Sequence, residues 1–395
     1  MGDDAAAAGA PRHVHAAAGA LRRILVVGSL AESLVNFRGD LLRELKERGW
    51  DVIAAAPPGP SWVDEALARW QVRRVVLPLR RTGTNPLHDV ALLRALRRQL
   101  RDEQPQALLA YTAKPVIYGL LAAGAAGVPR KVALITGLGF TFLQARSAVQ
   151  AALQRIVRWL YQRALRRADV VLFQNRDDEQ SFRALGLLRA GQDVRFVAGS
   201  GVNLDRYAKQ PLPLGPRRFL LIARLLLDKG VREYVEAAAR LHAEQPEVIC
   251  ELVGPLEEHP AAVPGKEVEQ AVRSGAVVWH GSVRDVRPYL AAAHVYVLPS
   301  YREGMPRTVL EALAVGRPVI TTDAPGCRET VVPERNGVLV PVADSDALYL
   351  AMLRFARMPE AELARMAEAS RAIAEAEFDV RKVNAAIIAA LLADA

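Results

Sequence analysis

The chain has 395 residues, 51% of them hydrophobic and 24% charged, a composition typical of soluble globular proteins with sizeable cores. It contains no uninterrupted apolar run of about 18 residues, so no transmembrane helix is predicted. Two cysteines, Cys250 and Cys327, exclude a disulfide framework and suit a reducing cytoplasm. The net charge of +9 is uneven: residues 1–200 carry +12 and residues 201–395 carry −3. The first half is therefore expected to meet an anionic partner: nucleic acid, acidic lipid or a phosphorylated ligand.

The first 20 residues are rich in alanine and glycine. They lack the basic start and leucine-rich core of a secretory signal, so we predict a disordered leader. Beyond them, short apolar strands alternate with helical patterns. Strands are predicted at 24–28, 51–56, 75–77, 107–110, 132–135 and 170–173, and helices at 36–48, 64–70, 88–103, 116–125 and 147–167. This alternation is typical of a doubly wound parallel sheet.

The alternation restarts after a strand at 194–197 and a polar, proline-rich connector at 199–217. Strands are predicted at 219–222, 248–253, 277–279, 295–298, 319–321 and 337–340, and helices at 231–243, 285–292 and 307–315. Further C-terminal helices are predicted to run to about residue 392. We predict two Rossmann-like α/β domains, at 21–205 and 206–376, and a final helix at 377–395 that packs back on the first domain. Such domains place a ligand cleft near the carboxyl ends of their strands.

Several cofactor motifs are missing from the sequence. The loop after the first strand, residues 28–39, lacks the glycine triad of a dinucleotide-binding fold, which disfavours a nicotinamide dehydrogenase. Asp344 and Asp346 resemble a metal-binding D-x-D motif, but they open a helix, where an aspartate commonly caps. No cofactor and no metal are therefore expected.

Two carboxylates stand out, Glu303 after a predicted strand and Glu311 inside the following helix. Even if all eight intervening steps were helical, the two residues would lie about 12 Å apart, whereas glycosidase carboxylate pairs need about 5–9.5 Å. We therefore expect them to act on different parts of one long ligand. Gly304 precedes a helix start whose free N–H groups suit a phosphate. The alternative is that Glu303 caps the helix and Glu311 is an ordinary surface residue.

A second loop carries Arg224 and Lys229, between a buried strand and a helix. Arginine can bind a diphosphate through two parallel hydrogen bonds, and lysine adds a point charge. The alternative is a salt bridge with Asp228 or with a neighbouring helix.

Together these segments resemble the retaining glycosyltransferases of family 4, which have the GT-B fold. The resemblance covers nearly the whole chain from about residue 22. The matching segments are Arg224 with 228–230, 281–283, 298–300, Glu303 with Glu311, 314–329 and 336–337. In the first half, residues 111–119 and 135–140 resemble the bacterial branch that builds lipid-linked surface glycans. That branch includes N-acetylgalactosaminyltransferases that act on undecaprenyl-diphosphate-linked bacillosamine.

The resemblance implies a role for each matching donor-site residue. Arg224 and Lys229 would bind the donor diphosphate, and Glu311 would bind the ribose hydroxyls. Glu303 would contact the donor sugar. The remaining implied donor contacts are the amides of Gly304 and Met305 to the sugar, those near Arg307 and Thr308 to the distal phosphate, and the loop with Val283 and Arg284 to the nucleobase.

The chain departs from the wider family at two places. The common Gly-Gly of the first loop is replaced by the stretch 34–39, and the histidine often found near the donor sugar is missing. The residues that stand in these regions, and are candidates for the acceptor or sugar side, are Asn36, Arg38, Lys114, Thr136 and Gly137.

The implied reaction moves a sugar, an N-acetylhexosamine, from a UDP-sugar to a polyprenyl-diphosphate-linked saccharide with retained configuration. The sequence presents no obvious protein nucleophile. Arg224, Lys229 and helix N–H groups would stabilise the leaving diphosphate, and one of its oxygens could deprotonate the acceptor hydroxyl.

Two other classes remain open. A nucleotide-sugar epimerase shares this architecture, but the candidate acid–base residues His259, His280 and His294 have no recognisable spacing for that reaction. Turnover of a free UDP-sugar without an acceptor would reveal it. A nucleic-acid binder could use the basic half, yet the arginines are spread over helices without a recognisable motif, so no nucleic-acid partner is expected.

The segment 146–167 contains six arginines and no acidic residue. Apolar residues recur at helical spacing and two aromatics suit a headgroup boundary: Val149, Leu153, Ile156, Leu160 and Ala164, with Trp159 and Tyr161. An ordinary core-facing helix with a basic outer face is the alternative. Because the acceptor is expected to be lipid-linked, we predict a cytoplasmic protein bound peripherally to the anionic inner face of the plasma membrane.

Overall fold

The structure is a computed structural model that describes residues 22–80, 85–137 and 147–392. The predicted leader at 1–20 lies outside these ranges. So do Arg146 and residues 138–140, which end the second motif of the first half.

The first domain is built on a seven-stranded parallel sheet with the order β3-β2-β1-β4-β5-β6-β7. The strands are β1 Arg23–Val27, β2 Asp51–Ala56, β3 Arg73–Val76, β4 Ala107–Tyr111, β5 Arg130–Ile135, β6 Val170–Phe173 and β7 Asp193–Phe196. The helices are α1 Ala31–Asn36, α2 Gly39–Glu47, α3 Ser61–Arg69, α4 Pro86–Glu103, α5 Leu120–Ala126, α6 Ala148–Leu165 and α7 Arg176–Ala184. A π-helical turn, Pro115–Gly119, leads into α5.

The second domain has a six-stranded parallel sheet with the order β10-β9-β8-β11-β12-β13. Its strands are β8 Arg218–Ile222, β9 Ile249–Val253, β10 Val278–Trp279, β11 Val295–Leu298, β12 Val319–Thr322 and β13 Gly337–Val340. Its helices are α8 Val231–Glu244, α9 Gly265–Arg273, α10 Arg287–Ala292, α11 Arg307–Val315, α12 Ser345–Ala356 and α13 Glu360–Ile373. The predicted fold class, two Rossmann-like α/β domains, is confirmed.

Both sheets are covered by helices on their two faces. In β1, Leu25 packs into the core on one face and Ile24 and Val26 into the core on the other, all fully buried. This double burial explains why the strands are continuous apolar runs instead of alternating patterns.

The last helix, α14 Val380–Leu392, packs against the first domain. Ile387 and Leu391 are buried with the core residues of β1 and β2. Polar contacts fix its position, because Asn384 Nδ2 donates to Glu44 at 2.9 Å and Arg130 Nε donates to the Ala390 carbonyl at 2.8 Å. The chain therefore returns to the first domain to complete one of its two cores.

Within the described ranges, no helix combines the length and the apolarity that crossing a bilayer requires. The main differences from the predicted elements are in helices. The predicted helix at 36–48 corresponds to α2, which begins at Gly39, because Phe37 and Arg38 separate it from α1. Helices α1, α7 and α9 were not predicted.

Candidate active site

A cavity of about 590 Å³ lies between the two domains. Residues of the loops that follow β1, β4 and β5 form its first-domain wall, and residues around β8, β10 and β11 form the opposite wall. Its lining includes Ser29, Ser33, Asn36, Phe37, Arg38, Tyr111, Thr136 and Gln174 from the first domain, and Arg224, Lys229, Arg284, Glu303, Gly304, Met305, Arg307, Thr308 and Glu311 from the second.

Glu303 is held by two donors of its own domain. Lys229 Nζ donates to Glu303 Oε1 at 2.5 Å, and Ser300 Oγ donates to the same oxygen at 2.9 Å. Lys229 ends a 3₁₀ turn closed by Gly230, whose φ of +67° suits glycine. A Cβ at Gly230 would come within 2.0 Å of the Pro299 carbonyl oxygen, so glycine also allows this turn to lie against the Glu303 loop.

Glu311 is buried inside α11, 5% exposed, and is not an ordinary surface residue. Arg307 Nε donates to its Oε1 at 2.8 Å, and burial, followed by the negative charge of Glu311, raises the pKa of Tyr207. The helix begins at Arg307 with Pro306 as its N-cap. Glu303 therefore does not cap α11, and the free amides at its start lie between the two carboxylates.

Arg224 follows β8 and is exposed at the cavity wall. Within the described parts of the chain it has no ion pair, so the alternative of a salt bridge with Asp228 is not realised. Lys229 pairs with Glu303 and not with Asp228. Both cations of this loop therefore lie at the cavity, one free for a ligand and one bound to a carboxylate.

The Glu303 loop also contacts the first domain, through residues that the sequence analysis missed. Asn175 Nδ2 donates to the Gly304 carbonyl at 2.7 Å, and Arg302 donates to the fully buried Asp178 at 2.6 Å. A Cβ at Gly304 would lie 2.2 Å from the Thr136 carbonyl oxygen, so only glycine allows this approach. The signal for α7 was present: Asn175, a residue type that caps helices, precedes three acidic residues.

The first-domain wall is organised around Tyr111. Its hydroxyl lies 2.8 Å from Ser33 Oγ, and the Arg38 guanidinium lies 5.2 Å from its ring centroid. Phe37 lies under the guanidinium of Arg307, 5.3 Å from ring centroid to charge centre, which joins the two walls.

The structure brings together most, but not all, of the predicted site residues. Gly137 lies beside Gly304: a Cβ on Gly137 would be 3.6 Å from the Gly304 amide nitrogen. Val283 is not among the lining residues and packs against the core of the second domain. Lys114 is not among the lining residues, and its Nζ instead donates to Asp89 on α4 at 2.7 Å.

The cavity is electrically positive. Glu303 and Glu311 each face a cation of their own, and Arg287 lowers the pKa of the lining residue Asp285 to about 2. Burial lowers the pKa of Arg38 to about 10, which still leaves it charged at neutral pH. The excess of cations suits a ligand with several negative charges. Among the described residues, no group of three or more His, Cys, Asp or Glu side chains could hold a metal ion.

Comparison with known proteins was decisive for the family. Residues 216–357 match the family described as glycosyl transferases group 1, and residues 35–198 match the glycosyl transferase 4-like domain. The chain belongs to this glycosyltransferase family. The match favours a transferase over the epimerase alternative.

Relatives of this glycosyltransferase include two enzymes whose names specify lipid-linked acceptors. One is N,N'-diacetylbacillosaminyl-diphospho-undecaprenol alpha-1,3-N-acetylgalactosaminyltransferase of Campylobacter jejuni, 27% identical over 80% of this chain and 84% of the relative. Another is UDP-Gal:alpha-D-GlcNAc-diphosphoundecaprenol alpha-1,3-galactosyltransferase of Escherichia coli, 25% identical over 82% and 81%. Among solved structures, Anabaena HepE in complex with UDP-glucose superposes with a TM-score of 0.73 at 19% identity, over 93% of this chain and 98% of HepE. That likeness confirms the GT-B fold of the glycosyltransferase.

Proposed function

We propose that this glycosyltransferase moves a sugar from a UDP-sugar to a polyprenyl-diphosphate-linked saccharide, with retention of the anomeric configuration. The observation that carries the proposal is the order in which charged groups lie along the second-domain wall of the cavity. Arg224 and Lys229 offer cations for a diphosphate, Glu303 offers a carboxylate at one end, and the start of α11 leads to the buried Glu311 at the other. A nucleoside diphosphate sugar presents matching groups along its length.

The donor would lie with its sugar at Glu303 and its nucleoside toward Glu311. The amides of Arg307 and Thr308, at the positive end of α11, would bind a phosphate oxygen. Glu311 is already bound to Arg307 on one oxygen, which leaves the other carboxylate oxygen for the ribose hydroxyls. Arg284 lines the cavity and would border the nucleobase.

In the reaction, the bond between the sugar's anomeric carbon and the diphosphate oxygen breaks, and the electron pair leaves with UDP. Arg224 and Lys229 stabilise the negative charge that develops there. An oxygen of the departing phosphate takes the proton of the acceptor hydroxyl, whose oxygen bonds to the same face of the anomeric carbon. Lys229 and Ser300 both donate to Glu303 Oε1 and hold the carboxylate in place. The other carboxylate oxygen, Oε2, would then orient the sugar hydroxyls. No metal or cofactor is required in this scheme.

The acceptor proposal is supported by the relatives. Both named transferases act on saccharides joined to undecaprenol through a diphosphate, and the chain spans more than four-fifths of each. We propose the same acceptor class here, and an N-acetylhexosamine as the sugar transferred. The residues opposite the donor wall, among them Asn36, Arg38 and Thr136, would face the acceptor or the sugar.

Membrane attachment would occur through α6. The predicted apolar stripe is divided in the structure: Leu160 and Ala164 face the core, whereas Val149 and Ile156 are 80% and 56% exposed. Trp159 is 52% exposed beside them, with the Arg163 guanidinium 4.9 Å from its ring centroid. Exposed apolar side chains among arginines suit the headgroup region of an anionic bilayer. We propose peripheral binding to the inner face of the plasma membrane through this surface.

A substrate panel tests the reaction. The protein would be incubated with UDP- and GDP-sugars and short polyprenyl-diphosphate saccharides, and the product linkage determined by NMR. We expect transfer from one UDP-sugar. If the sugar is α-linked in the donor, it should also be α-linked in the product. An inverted linkage would contradict retention, and epimerisation of the free UDP-sugar without acceptor would contradict the transferase assignment.

Liposome sedimentation tests the attachment independently. We expect binding to anionic vesicles that is reversed by salt and lost when Arg155, Arg158 and Arg163 are changed to Glu. Equal binding to neutral and anionic vesicles would contradict the membrane proposal and leave the transferase assignment intact.

A further inference from the structure

Two arginines of the described residues are almost completely buried, Arg317 at 0% and Arg38 at 3% exposure. The fold supplies three acceptors to Arg317, although its Nη1 is buried without one. Its Nε donates to the Leu290 carbonyl at 2.9 Å, and a terminal nitrogen donates to the carbonyls of Pro211 at 2.9 Å and Ala291 at 3.1 Å. Arg317 therefore ties the connector to α10 and has a structural role.

Arg38 has no such explanation. Its side chain makes no hydrogen bond or ion pair with any residue of the described ranges, and its Nε is buried without an acceptor. Its contact is with the ring of Tyr111, over which the guanidinium lies. A buried cation without hydrogen-bond acceptors is costly to the folded state, so a position of this kind indicates a ligand.

Tyr111 is a fixed platform for this guanidinium. Ser33 holds the tyrosine hydroxyl, and Gly28 lies so close that a Cβ there would come within 2.3 Å of it. Arg38 itself is the N-cap residue of α2, so its main chain is fixed by the helix that follows. Both ends of the contact are thus held before any substrate arrives.

Arg38 lines the cavity between the domains, opposite the start of α11. The charge of Arg307, on the first turn of that helix, lowers the pKa of Arg38 further, although less than burial does. Two guanidinium groups that repel one another across a cavity are both stabilised by an anion placed between them.

We propose that Arg38 binds a diphosphate oxygen of a substrate from the first-domain wall, facing the cations of the second domain. This inference rests on the proposed function, in which both the UDP-sugar and the lipid-linked acceptor carry a diphosphate. The two sources present the same chemistry to the guanidinium. A bound diphosphate would also join the two domains, because its oxygens would accept from both walls.

The test compares the same substitution at the two buried arginines. Arg38→Lys and Arg317→Lys both keep the charge and lose the planar fork, and Arg38→Met also removes the charge. Inorganic pyrophosphate is the common probe, measured by calorimetry and by the rise in the unfolding midpoint. UDP then probes the donor side, and farnesyl diphosphate probes the acceptor side.

We expect Arg38→Met to weaken pyrophosphate binding about tenfold or more, with a smaller loss in Arg38→Lys. The unfolding midpoint of the unliganded Arg38 variants should stay level or rise, because an unpaired buried cation is removed or eased. Arg317→Lys should instead lower the midpoint and leave pyrophosphate binding unchanged. A parallel loss for UDP assigns the contact to the donor, and a parallel loss for farnesyl diphosphate assigns it to the acceptor.

Pyrophosphate affinity within threefold of wild type in both Arg38 variants would overturn the inference. If Arg38→Met does not fold, Arg38→Lys alone decides in the same way. A lowered midpoint in Arg38→Lys with unchanged pyrophosphate binding would likewise give Arg38 a structural role. Failure of the inference leaves wild-type transfer from a UDP-sugar intact, whereas failure of the proposed function removes that transfer from the wild-type protein.

Discussion

Lys229 Nζ and Glu303 Oε1 lie 2.5 Å apart, so the cation expected to bind the donor diphosphate and the carboxylate expected to bind the donor sugar are bonded to each other. Both side chains are only 17% exposed. The pair fixes Glu303 in the cavity and keeps its carboxylate beside the place where the glycosidic bond would break.

The two carboxylates should give different defects. We expect Glu303→Gln to nearly abolish transfer, because the amide cannot keep both the charge beside Lys229 and the sugar contact. Glu311→Ala should mainly raise the KM for the UDP-sugar, because it removes the ribose contact. Steady-state kinetics at varied donor concentration distinguish the two effects. Wild-type turnover in either variant would refute the assigned role.

Removal of either donor-loop cation should slow the chemical step. Charge grows on the diphosphate as the bond breaks, so Arg224→Ala and Lys229→Ala should each reduce kcat by about 10²–10³. Lys229→Ala also leaves Glu303 without its cation, so the double variant Lys229→Ala/Glu303→Gln should be less than additive with the single ones. Rates within about threefold of wild type at saturating donor would contradict the diphosphate role.

Transfer should survive treatment with EDTA. In the proposed scheme, Arg224, Lys229 and the amides of α11 supply the stabilising charge. Chelation of divalent ions should therefore leave the rate within about twofold of the untreated enzyme, whereas loss of one cationic contact should reduce it about 10²–10³. The measurement is turnover after dialysis against EDTA. Complete loss that manganese restores would show that a metal takes part.

Two ion pairs of α7 with the second domain offer a matched comparison. Asp178, with a fully buried side chain, accepts from Arg302, whereas Asp177 accepts from Arg328 at 3.0 Å nearer the surface. Asp178→Ala should lower the free energy of unfolding by about 1–3 kcal/mol, because it leaves the Arg302 guanidinium without an acceptor. Asp177→Ala should cost less than about 1 kcal/mol. Urea unfolding measures both, and equal losses would contradict the importance of burial.

Asp178→Ala should also affect activity, since Arg302 adjoins Glu303. We expect kcat to fall more than the affinity for UDP, because the loop that carries Glu303 loses a contact with the first domain while the donor wall stays intact. A change confined to UDP affinity would be contrary to this role.

Acid should destabilise the protein through His294. Burial, and then the nearby charge of Arg217, lower the pKa of His294 to about 4, and its Nδ1 accepts from the Arg218 amide at 3.1 Å. The folded pKa lies below the ordinary value of 6.5. Stability is therefore complete above about pH 6.5 and falls as the pH drops toward 4, by up to about 3 kcal/mol, because the unfolded chain takes up the proton first.

His294→Asn should flatten this dependence, since an asparagine can accept the same hydrogen bond without titrating. Urea unfolding at pH 7 and pH 4.5 gives the comparison. The same loss of stability in wild type and variant would show that other groups cause it.

The local sequence pattern was sufficient for the parts of the fold that are buried on both faces. Strands 51–56, 170–173 and 295–298 and helix 307–315 were predicted with their observed bounds, because each is a continuous or periodic apolar run. Helix α7 was missed because Phe182 is its only buried apolar residue. The helix predicted at 36–48 begins instead at Gly39, because the backbone at Phe37 and Arg38 ends α1 and starts α2, which apolar spacing does not report.

The site shows the same limit. The eight-residue spacing of Glu303 and Glu311 was enough to predict that the two carboxylates act on different parts of a ligand. The contact of Arg302 with Asp178 joins residues 124 positions apart, and it depends on how one domain lies against the other. Lys114 looked suitable as a polar residue after β4, but its partner Asp89 lies on α4, which the local sequence does not connect with it.

The position of α14 has a consequence for how the protein is made. Residues 380–391 fill part of the first domain's core, yet a ribosome adds them only after the whole second domain. Until then a nascent chain carries the face of β1 and β2 beneath Ile387 and Leu391 uncovered, with the whole second domain still to be synthesised. Chaperones that bind exposed apolar surface have their longest access to this face. A stop codon just before residue 380 would thus damage the first domain, although it would leave every strand of both sheets intact.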